Sequence, residues 1–234
     1  VDPTDLVIPD GATSDNLKNY EIGVKGTWFD GQLSANIAAY LIDWSNIQVQ
    51  ANRVSDSVQF ATNIGKARSK GIEFEINASP FVGLDIGVNG SLNDTEVTEL
   101  TDAEAAISGA VLGASLAFPS FQGAAYLKYT TDISSDVRGW FAVNLQHVGD
   151  FPNQFPNVPG NPNAVSPTYG FTEPYQNVNM SLGADIGDHL KATLYVENLF
   201  DDHSIIYRHP EAFADARAST LRPRTIGVRL GYDF

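Results

Sequence analysis

The sequence contains no cysteine, so thiolate metal ligands and thiol nucleophiles are absent from it. The side chains considered for metal binding or catalysis are therefore those of histidine, serine and the carboxylates. His203 and His209, with Tyr207 between them, are residue types suited to a metal or a haem, but their spacing is not that of a ligand set. His147 lies in a stretch of alternating residues without a serine pattern beside it, so a Ser-His-acid site is not indicated. We therefore predict no enzymatic activity, no metal site and no cofactor.

Residues suited to binding are concentrated in a proline-rich stretch, 150–174, which holds six of the twelve prolines. Proline cannot donate to a sheet ladder, so this stretch is predicted to be a long loop. Its aromatic and amide side chains are the candidate contacts of a small-molecule ligand: Phe151, Asn153, Phe155, Asn157, Tyr169 and Phe171. The alternative interpretation is a proline-rich lid that makes no ligand contact.

The elements that would position these loops are β-strands, and the last one is the clearest. From Ile226 to Phe234 every second residue is apolar or aromatic, with Gly227, Arg229, Gly231 and Asp233 between them. A period of two indicates a strand with one apolar and one polar face. Because the chain ends on an aromatic residue, we interpret this strand as the closing strand of an outer-membrane β-barrel whose apolar face contacts lipid.

The same alternation recurs along the chain in about nine stretches: 20–28, 33–50, 59–79, 84–93, 121–130, 137–146, 177–186, 190–197 and 226–234. Short connections at 30–31, 80–83, 131–136 and 187–188 alternate with long ones at 51–58, 97–118, 150–174 and 200–220. A short helix is predicted within 102–112. Short turns at one rim and long loops at the other are typical of outer-membrane barrels. The pattern predicts an all-β antiparallel meander.

Composition narrows the function classes. The formal net charge is -14, from 28 acidic and 14 basic residues, which argues against a nucleic-acid partner. The sequence has no apolar run near 18 residues, so a transmembrane helix is not predicted, whereas a mean hydropathy of -0.14 is compatible with a barrel of alternating residues. The sequence begins Val-Asp-Pro without a signal peptide, and we interpret it as a mature or trimmed fragment.

Four motifs resemble the barrel of the TonB-dependent outer-membrane receptors: residues 19–50, residues 63–81 with Asn63-Ile64-Gly65 and Gly71-Ile72-Glu73, the stretch Val196-Glu197-Asn198-Leu199-Phe200-Asp201, and residues 222–234. The resemblance covers 19–234. It implies the carboxy-terminal part of a 22-stranded transmembrane barrel, about strands 14 to 22. Residues 1–18 would be an extracellular loop segment and 19–234 the barrel portion, with the plug domain and early strands absent from this chain.

The resemblance also implies a transport function, an orientation in the membrane and a set of partners. A receptor of this family takes up a scarce nutrient, most often a ferric siderophore, across the bacterial outer membrane, with energy from the TonB complex acting through the plug. Long loops would be extracellular and short turns periplasmic. The expected partners are the rest of the barrel with its plug, outer-membrane lipids and lipopolysaccharide, the small-molecule ligand, and the barrel-assembly machinery, for which Tyr232 and Phe234 would form the assembly signal.

The sequence is also compatible with other ligands and with another class of protein. The ligand could instead be cobalamin, haem or an oligosaccharide. In a different class, the chain could be a surface β-sandwich that binds carbohydrate or acts as an adhesin, although strand length and the order of loop lengths disfavour it. Since nine strands leave two unpaired edges, and each unpaired backbone group in lipid costs several kcal/mol, we expect the missing part of the barrel to lie beside this chain.

Overall fold

The computed structural model describes residues 6–53, 55–56, 58–209 and 217–234. The elements in chain order are β1 (Asn16–Trp28), β2 (Leu33–Asn52), β3 (Gln59–Phe81), β4 (Leu84–Glu99), α1 (Asp102–Ser108), β5 (Phe121–Ser134), β6 (Val137–Val148), β7 (Asn157–Val158), β8 (Asn161–Val165), β9 (Tyr175–Ile186), β10 (Leu190–Glu197), β11 (Ile205–Arg208), β12 (Ala218–Thr220) and β13 (Thr225–Tyr232).

Nine of these strands form one antiparallel sheet in the order β1-β2-β3-β4-β5-β6-β9-β10-β13. Each strand pairs with the preceding strand of the sheet, so the predicted nine-stranded meander is confirmed. The remaining strands make two small hairpins, β7-β8 and β11-β12, within long loops. Because the described strands form one large sheet rather than two packed sheets, the β-sandwich alternative is wrong.

The sheet has two chemically different faces. On one face apolar side chains are exposed along every strand, for example Ile22 at 78%, Val228 at 67% and Leu194 at 48%. On the other face lie polar residues such as Glu21, Glu73 and Gln122. In β2 the apolar alternation runs from Leu33 to Leu41, a length close to that of a membrane-spanning strand. Exposure of an apolar face over the whole sheet fits lipid as its solvent.

Short turns join the strands at one rim, 29–32, 82–83, 135–136 and 187–189, which we call the short-turn rim. In the first turn Phe29, Asp30 and Gly31 all have positive φ, and the Gln32 amide donates to the Phe29 carbonyl oxygen over 3.0 Å. This matches the hairpin predicted from Asp30-Gly31. The opposite loop rim holds the described residues of 53–58, 100–120, 149–174 and 198–224, in agreement with the predicted order of loop lengths.

The sheet is open among the described residues, since β1 pairs only with β2 and β13 only with β10. β1 begins at Asn16, inside the segment predicted to be loop, because the Leu17 to Asn19 backbone continues the ladder opposite Ile42 to Trp44. The predicted helix is present as α1, and no helix in the described ranges is long and apolar enough to cross a membrane.

Candidate ligand-binding site

The site begins where the alternation of β2 changes phase. Asn46 has φ +54, and the β2-β3 ladder omits the pair of Asn46 with Gly65. Before Asn46 in the chain, Trp44 lies on the polar face of β2. After Asn46, Ile47 and Ala51 are the buried residues of this strand. A residue in the left-handed region rotates the strand, so it places apolar side chains on the face that is polar elsewhere.

An apolar floor results from this phase change. Ile47 and Ile64 are 1% and 0% exposed and cluster with Ala67 and Ala110. Trp44, Val49, Leu100, Leu116 and Phe155 pack against this cluster. The contributing residues come from two strands and from two of the long loops. Burial of apolar groups therefore attaches these loops to the upper part of the sheet.

Helix α1 fixes the first of these loops. Thr101 and Glu104 form a capping box, in which the Glu104 amide donates to Thr101 Oγ1 at 3.2 Å and the Thr101 amide donates to Glu104 Oε2 at 2.8 Å. Gly109 ends the helix with φ +72, and its carbonyl oxygen accepts from the Asn157 amide at 3.0 Å. A Cβ at Gly109 would clash with the Asn157 carbonyl oxygen, so glycine is required for this contact between two loops.

The proline-rich loop is held by its own polar side chains. Asn153 Nδ2 donates to the Thr168 carbonyl oxygen at 2.9 Å, while Asn153 Oδ1 accepts from the Gly170 amide at 2.9 Å. Gln154 Nε2 donates to Ser166 Oγ and Thr168 Oγ1 at 3.0 and 2.8 Å. These bonds cross the loop from its first to its second half, which gives it a fixed shape despite its prolines.

A third loop reaches the same region from the end of β10. Asn198 is 3% exposed with φ +51, and its Nδ2 donates to the Asp202 and Arg222 carbonyl oxygens at 2.8 and 2.9 Å. Asn198 Oδ1 accepts from the Asp202 amide at 2.9 Å, and Asp201 Oδ1 accepts from the Arg224 amide at 2.8 Å. We call Asn198, Asp201 and Asp202 the Asn198 corner. It directs the chain towards β11, which carries Tyr207.

Hydrogen bonds lower the pKa of both aspartates in the Asn198 corner. For Asp201 the main cause is the bond from the Arg224 amide, and for Asp202 it is the bond from Ser204 Oγ, which lies 2.5 Å away. In another loop Arg53 holds the pKa of Asp56 below its ordinary value through a hydrogen bond. All three groups lie on the loop rim and stay ionised at neutral pH.

The three loops and the upper part of β2 enclose a cavity of about 380 Å³. Its lining includes the aromatic residues Trp44, Phe118, Phe155, Tyr207 and His209 and the amide residues Asn153, Gln154 and Asn157. Gln48 and Gln50 also border it, but they alternate with the buried Ile47 and Ala51, so their side chains point to the opposite face of β2. Trp44 Nε1 donates to Asp15 at 2.7 Å, which fixes the indole ring. Rings and amides around a cavity of this size can hold a small organic molecule by stacking and hydrogen bonding.

The six residues predicted as ligand contacts divide into two groups. Asn153, Phe155 and Asn157 line the cavity. Phe151, Tyr169 and Phe171 do not: Phe151 bonds through its backbone to Thr172, and Tyr169 packs edge-to-face on Phe171 at 5.7 Å. Sequence reasoning did not name Trp44 or Phe118 as ligand contacts, and it named Tyr207 only with the flanking histidines as a residue suited to a metal or a haem. For Trp44 a signal existed, since it is a tryptophan on the polar face of a strand.

The histidines lie in different environments, and one of them, His209, lines the cavity. His203 lies 3.6 Å from Asp201, and His209 packs edge-to-face on Tyr207 at 4.7 Å and lines the cavity. His147 packs beside Phe121 near the end of β6, with ring centroids 5.6 Å apart. Within the described ranges no group of three or more histidine, aspartate or glutamate residues is arranged to hold a metal ion.

The predicted assembly residues lie at the short-turn rim. Tyr232 is the last residue of β13 and stacks on His189 at 5.7 Å, while Phe234 contacts Tyr232 edge-to-face at 5.3 Å. Both aromatic side chains are highly exposed. Their position at a strand end fits the interfacial region of a membrane, where aromatic rings are enriched.

Comparison with known proteins identifies the family. A family model described as "TonB dependent receptor-like, beta-barrel" matches residues 15–199. The chain belongs to this family. TonB-dependent receptors are transport receptors of the outer membrane, which agrees with the two-faced sheet and with the resemblance found in the sequence.

Individual relatives are siderophore receptors. The ferric-pyoverdine 358 receptor of Pseudomonas putida is 32% identical over 82 residues, which are 34% of this chain and 10% of that protein. The ferric-pyoverdine M114 receptor PbuA of Pseudomonas sp. strain M114 is 31% identical over 117 residues, 46% of this chain and 14% of PbuA.

The crystal structure of the ferric yersiniabactin uptake receptor FyuA from Yersinia pestis has the same fold, with TM-score 0.70 and 20% identity over 94% of this chain and 30% of FyuA. The chain thus spans less than a third of the length of each of these three receptors.

Proposed function

We propose that this chain supplies part of the barrel wall and part of the ligand-binding loops of a TonB-dependent receptor that takes up a ferric siderophore. The observation that carries the proposal is the cavity at the loop rim, where three long loops meet above a sheet with a lipid-facing surface. The names of the two Pseudomonas relatives, both ferric-pyoverdine receptors, favour an iron chelate over cobalamin, haem or an oligosaccharide.

In this proposal the loop rim is extracellular and the short-turn rim is periplasmic. Long loops on the outside and short turns on the inside are the general asymmetry of outer-membrane barrels. Residues 1–18 then lead into the barrel from the outside, and 19–234 form its carboxy-terminal portion. The cavity consequently opens towards the medium from which a siderophore is captured.

The proposed partners follow from the unpaired parts of the sheet. The free edges of β1 and β13 would pair with the remaining strands of the barrel, because unpaired backbone groups are costly in lipid. The polar face would enclose the plug domain, through which the TonB complex acts. Lipid and lipopolysaccharide would cover the apolar face, and the assembly machinery would recognise Tyr232 and Phe234.

The proposal is tested by ligand binding to the full receptor in detergent. Trp44 lines the cavity, so bound ferric siderophore should quench its fluorescence. Phe118 is 59% exposed at the cavity and is a safe target for substitution. We expect Phe118→Ala to weaken binding about tenfold, since a buried aromatic contact contributes about 1–2 kcal/mol.

Phe171 provides a matched control, because it is 47% exposed in the same loop system but lies outside the cavity lining. We expect Phe171→Ala to leave affinity within twofold of the unmodified receptor. An unchanged affinity after deletion of residues 151–173 would remove the loop assignment. Quenching by haem or cobalamin, with none by any ferric siderophore, would replace the proposed ligand.

A further inference from the structure

Strands β1 to β4 extend beyond the lipid-facing band, whereas β5 begins at Phe121, opposite Leu92. On the side of the sheet that carries the apolar face, which we call the outer side, the alternation of β2 ends at Leu41 and the next outward residue is Asp43. At about 3.4 Å per residue, Asp43 lies about 7 Å farther along the strand than Leu41. The headgroup region adds about 5–8 Å to each side of the hydrocarbon core, so outward residues at this height face headgroups.

The outer side of this extension carries a groove of about 350 Å³ that is rich in cations. Lys18, Lys66 and Arg68 line it, and Lys18 and Arg68 lie opposite Asp43 on the two neighbouring strands. Lysine and arginine make up 14 of the 234 residues, so about one would be expected among the 11 lining residues. With Asp43 and Glu99 included, the lining has a net charge of +1 in a chain whose net charge is -14. An anion therefore meets a local excess of positive charge here.

The three cations are oriented but remain available. Arg68 Nε and Nη2 lie 2.9 and 2.8 Å from Asp43 Oδ1, and Lys66 Nζ lies 2.8 Å from Glu99 Oε1. The side chains of Arg68 and Lys66 are still 45% and 50% exposed, and exposed ion pairs of this kind are weak. Lys18 is exposed and has no ion-pair partner within the described part of the chain. Each group keeps N–H donors for a ligand.

The groove changes in character along the strands. Tyr20 lies at its lower end, opposite Leu41 at the limit of the lipid-facing band, and is 59% exposed. Asn16 and Ser45 lie opposite each other at its upper end and offer an amide and a hydroxyl group. The order from the band outwards is thus an aromatic ring, then cations, then neutral polar groups. A free phosphate would use only the middle of this order, whereas a glycolipid with acyl chains, phosphate and sugars matches all of it.

We propose that this groove binds a phosphate group of a phosphorylated glycolipid, the lipopolysaccharide of the outer leaflet. Lys18 and Arg68 donate to the phosphate oxygens, since ammonium and guanidinium groups form strong charge-assisted hydrogen bonds with phosphate. The acyl chains continue along the apolar face below Tyr20, and the sugars lie towards Asn16 and Ser45. The inference goes beyond uptake of the transported ligand. It rests on the proposed orientation of the loop rim and is independent of the identity of the cargo.

The test titrates the full receptor in neutral detergent with lipopolysaccharide that carries both lipid A phosphates, and with the same glycolipid after dephosphorylation. Native mass spectrometry measures the bound fraction. We expect dephosphorylation to weaken binding at least tenfold. Equal affinities would mean that the apolar face alone holds the lipid and would overturn the inference. Displacement by millimolar inorganic phosphate, or equal binding of phosphatidylglycerol, would assign the groove to another phosphate source and would also overturn it.

A pair of lysine variants tests the groove itself. Lys18→Gln removes a cation without breaking an ion pair, and we expect it to weaken binding of the phosphorylated glycolipid about fivefold, while Lys18→Arg should keep the affinity. Lys25→Gln is the matched control, because Lys25 is exposed on the same strand but points to the polar face. Its affinity should equal that of the unmodified receptor.

The inference fails if Lys18→Gln leaves the affinity unchanged, or if Lys25→Gln weakens binding as much as Lys18→Gln does. Binding of the ferric siderophore should be the same in all three variants. A receptor that binds no iron chelate but shows the expected lysine pattern would refute the proposed cargo and support the glycolipid site, so the two proposals fail separately.

Discussion

The Asn198 corner gives a prediction whose magnitude follows from counted bonds. Asn198→Ala removes two donations from Nδ2 and one acceptance at Oδ1, each worth about 1 kcal/mol net. Alanine at φ +51 adds about 1 kcal/mol of backbone strain. The local opening free energy should fall by about 3–4 kcal/mol. Amide hydrogen exchange measured in the folded receptor should therefore accelerate by at least 100-fold at Leu199 and Arg224.

Two further substitutions separate the causes. Asn198→Gly loses the same hydrogen bonds without the strain, so its exchange should be several-fold slower than that of Asn198→Ala. Asn161→Ala, at an exposed position of β8, should leave the corner unchanged. The reasoning is refuted if Asn198→Ala accelerates exchange by less than about fivefold, or if the glycine variant exchanges faster than the alanine variant.

Three other predictions concern the strands and the loop rim. Gly65→Ala should lower the folding yield, because the new Cβ would clash with the Glu99 carbonyl oxygen. The loss would be seen as a weaker fast-migrating folded band in electrophoresis of unheated samples. Gly231→Ala should leave the yield unchanged, because there is space for a Cβ at that position. Leu194→Arg on the lipid face should destabilise the barrel in vesicles by about 2–4 kcal/mol, and Thr193→Arg on the polar face by much less. Since hydrogen bonding lowers the folded-state pKa of both aspartates in the Asn198 corner, protection of its amides should be complete above the ordinary aspartate pKa of about 3.9 and should be lost as the pH falls through the lower folded values.

The strands were predictable because lipid imposes a local rule. Each residue of β1 or β13 faces either lipid or the polar interior, and the sequence shows this alternation without knowledge of distant contacts. Strand ends were less accurate: β4 extends to Glu99 and β5 to Ser134, beyond the predicted 93 and 130. These extensions carry polar residues on both faces, so the period of two no longer marks them.

The loop rim was only partly predictable because its order depends on contacts between distant segments. The aromatic and amide content of 150–174 indicated a binding loop, and three of six candidates line the cavity. Nothing local distinguishes Phe155, which packs on the apolar floor, from Phe171, which packs on Tyr169. Tyr207 reaches the cavity after the Asn198 corner has turned the chain. Phe118 follows residues 113–116, which are hydrogen-bonded to Thr95 and Val97 of β4.

A barrel wall and a ligand site make opposite demands on the same strand. A barrel wall carries apolar residues on its lipid face and polar residues on its wet inner face, but an organic ligand and its loops need an apolar floor on that inner face. β2 meets both demands by changing phase at Asn46, above the nine-residue apolar alternation that ends at Leu41. The change needs a residue that tolerates φ +54, which Asn46 provides. The floor thus lies beyond the lipid-facing band, where a break in alternation exposes no polar group to lipid.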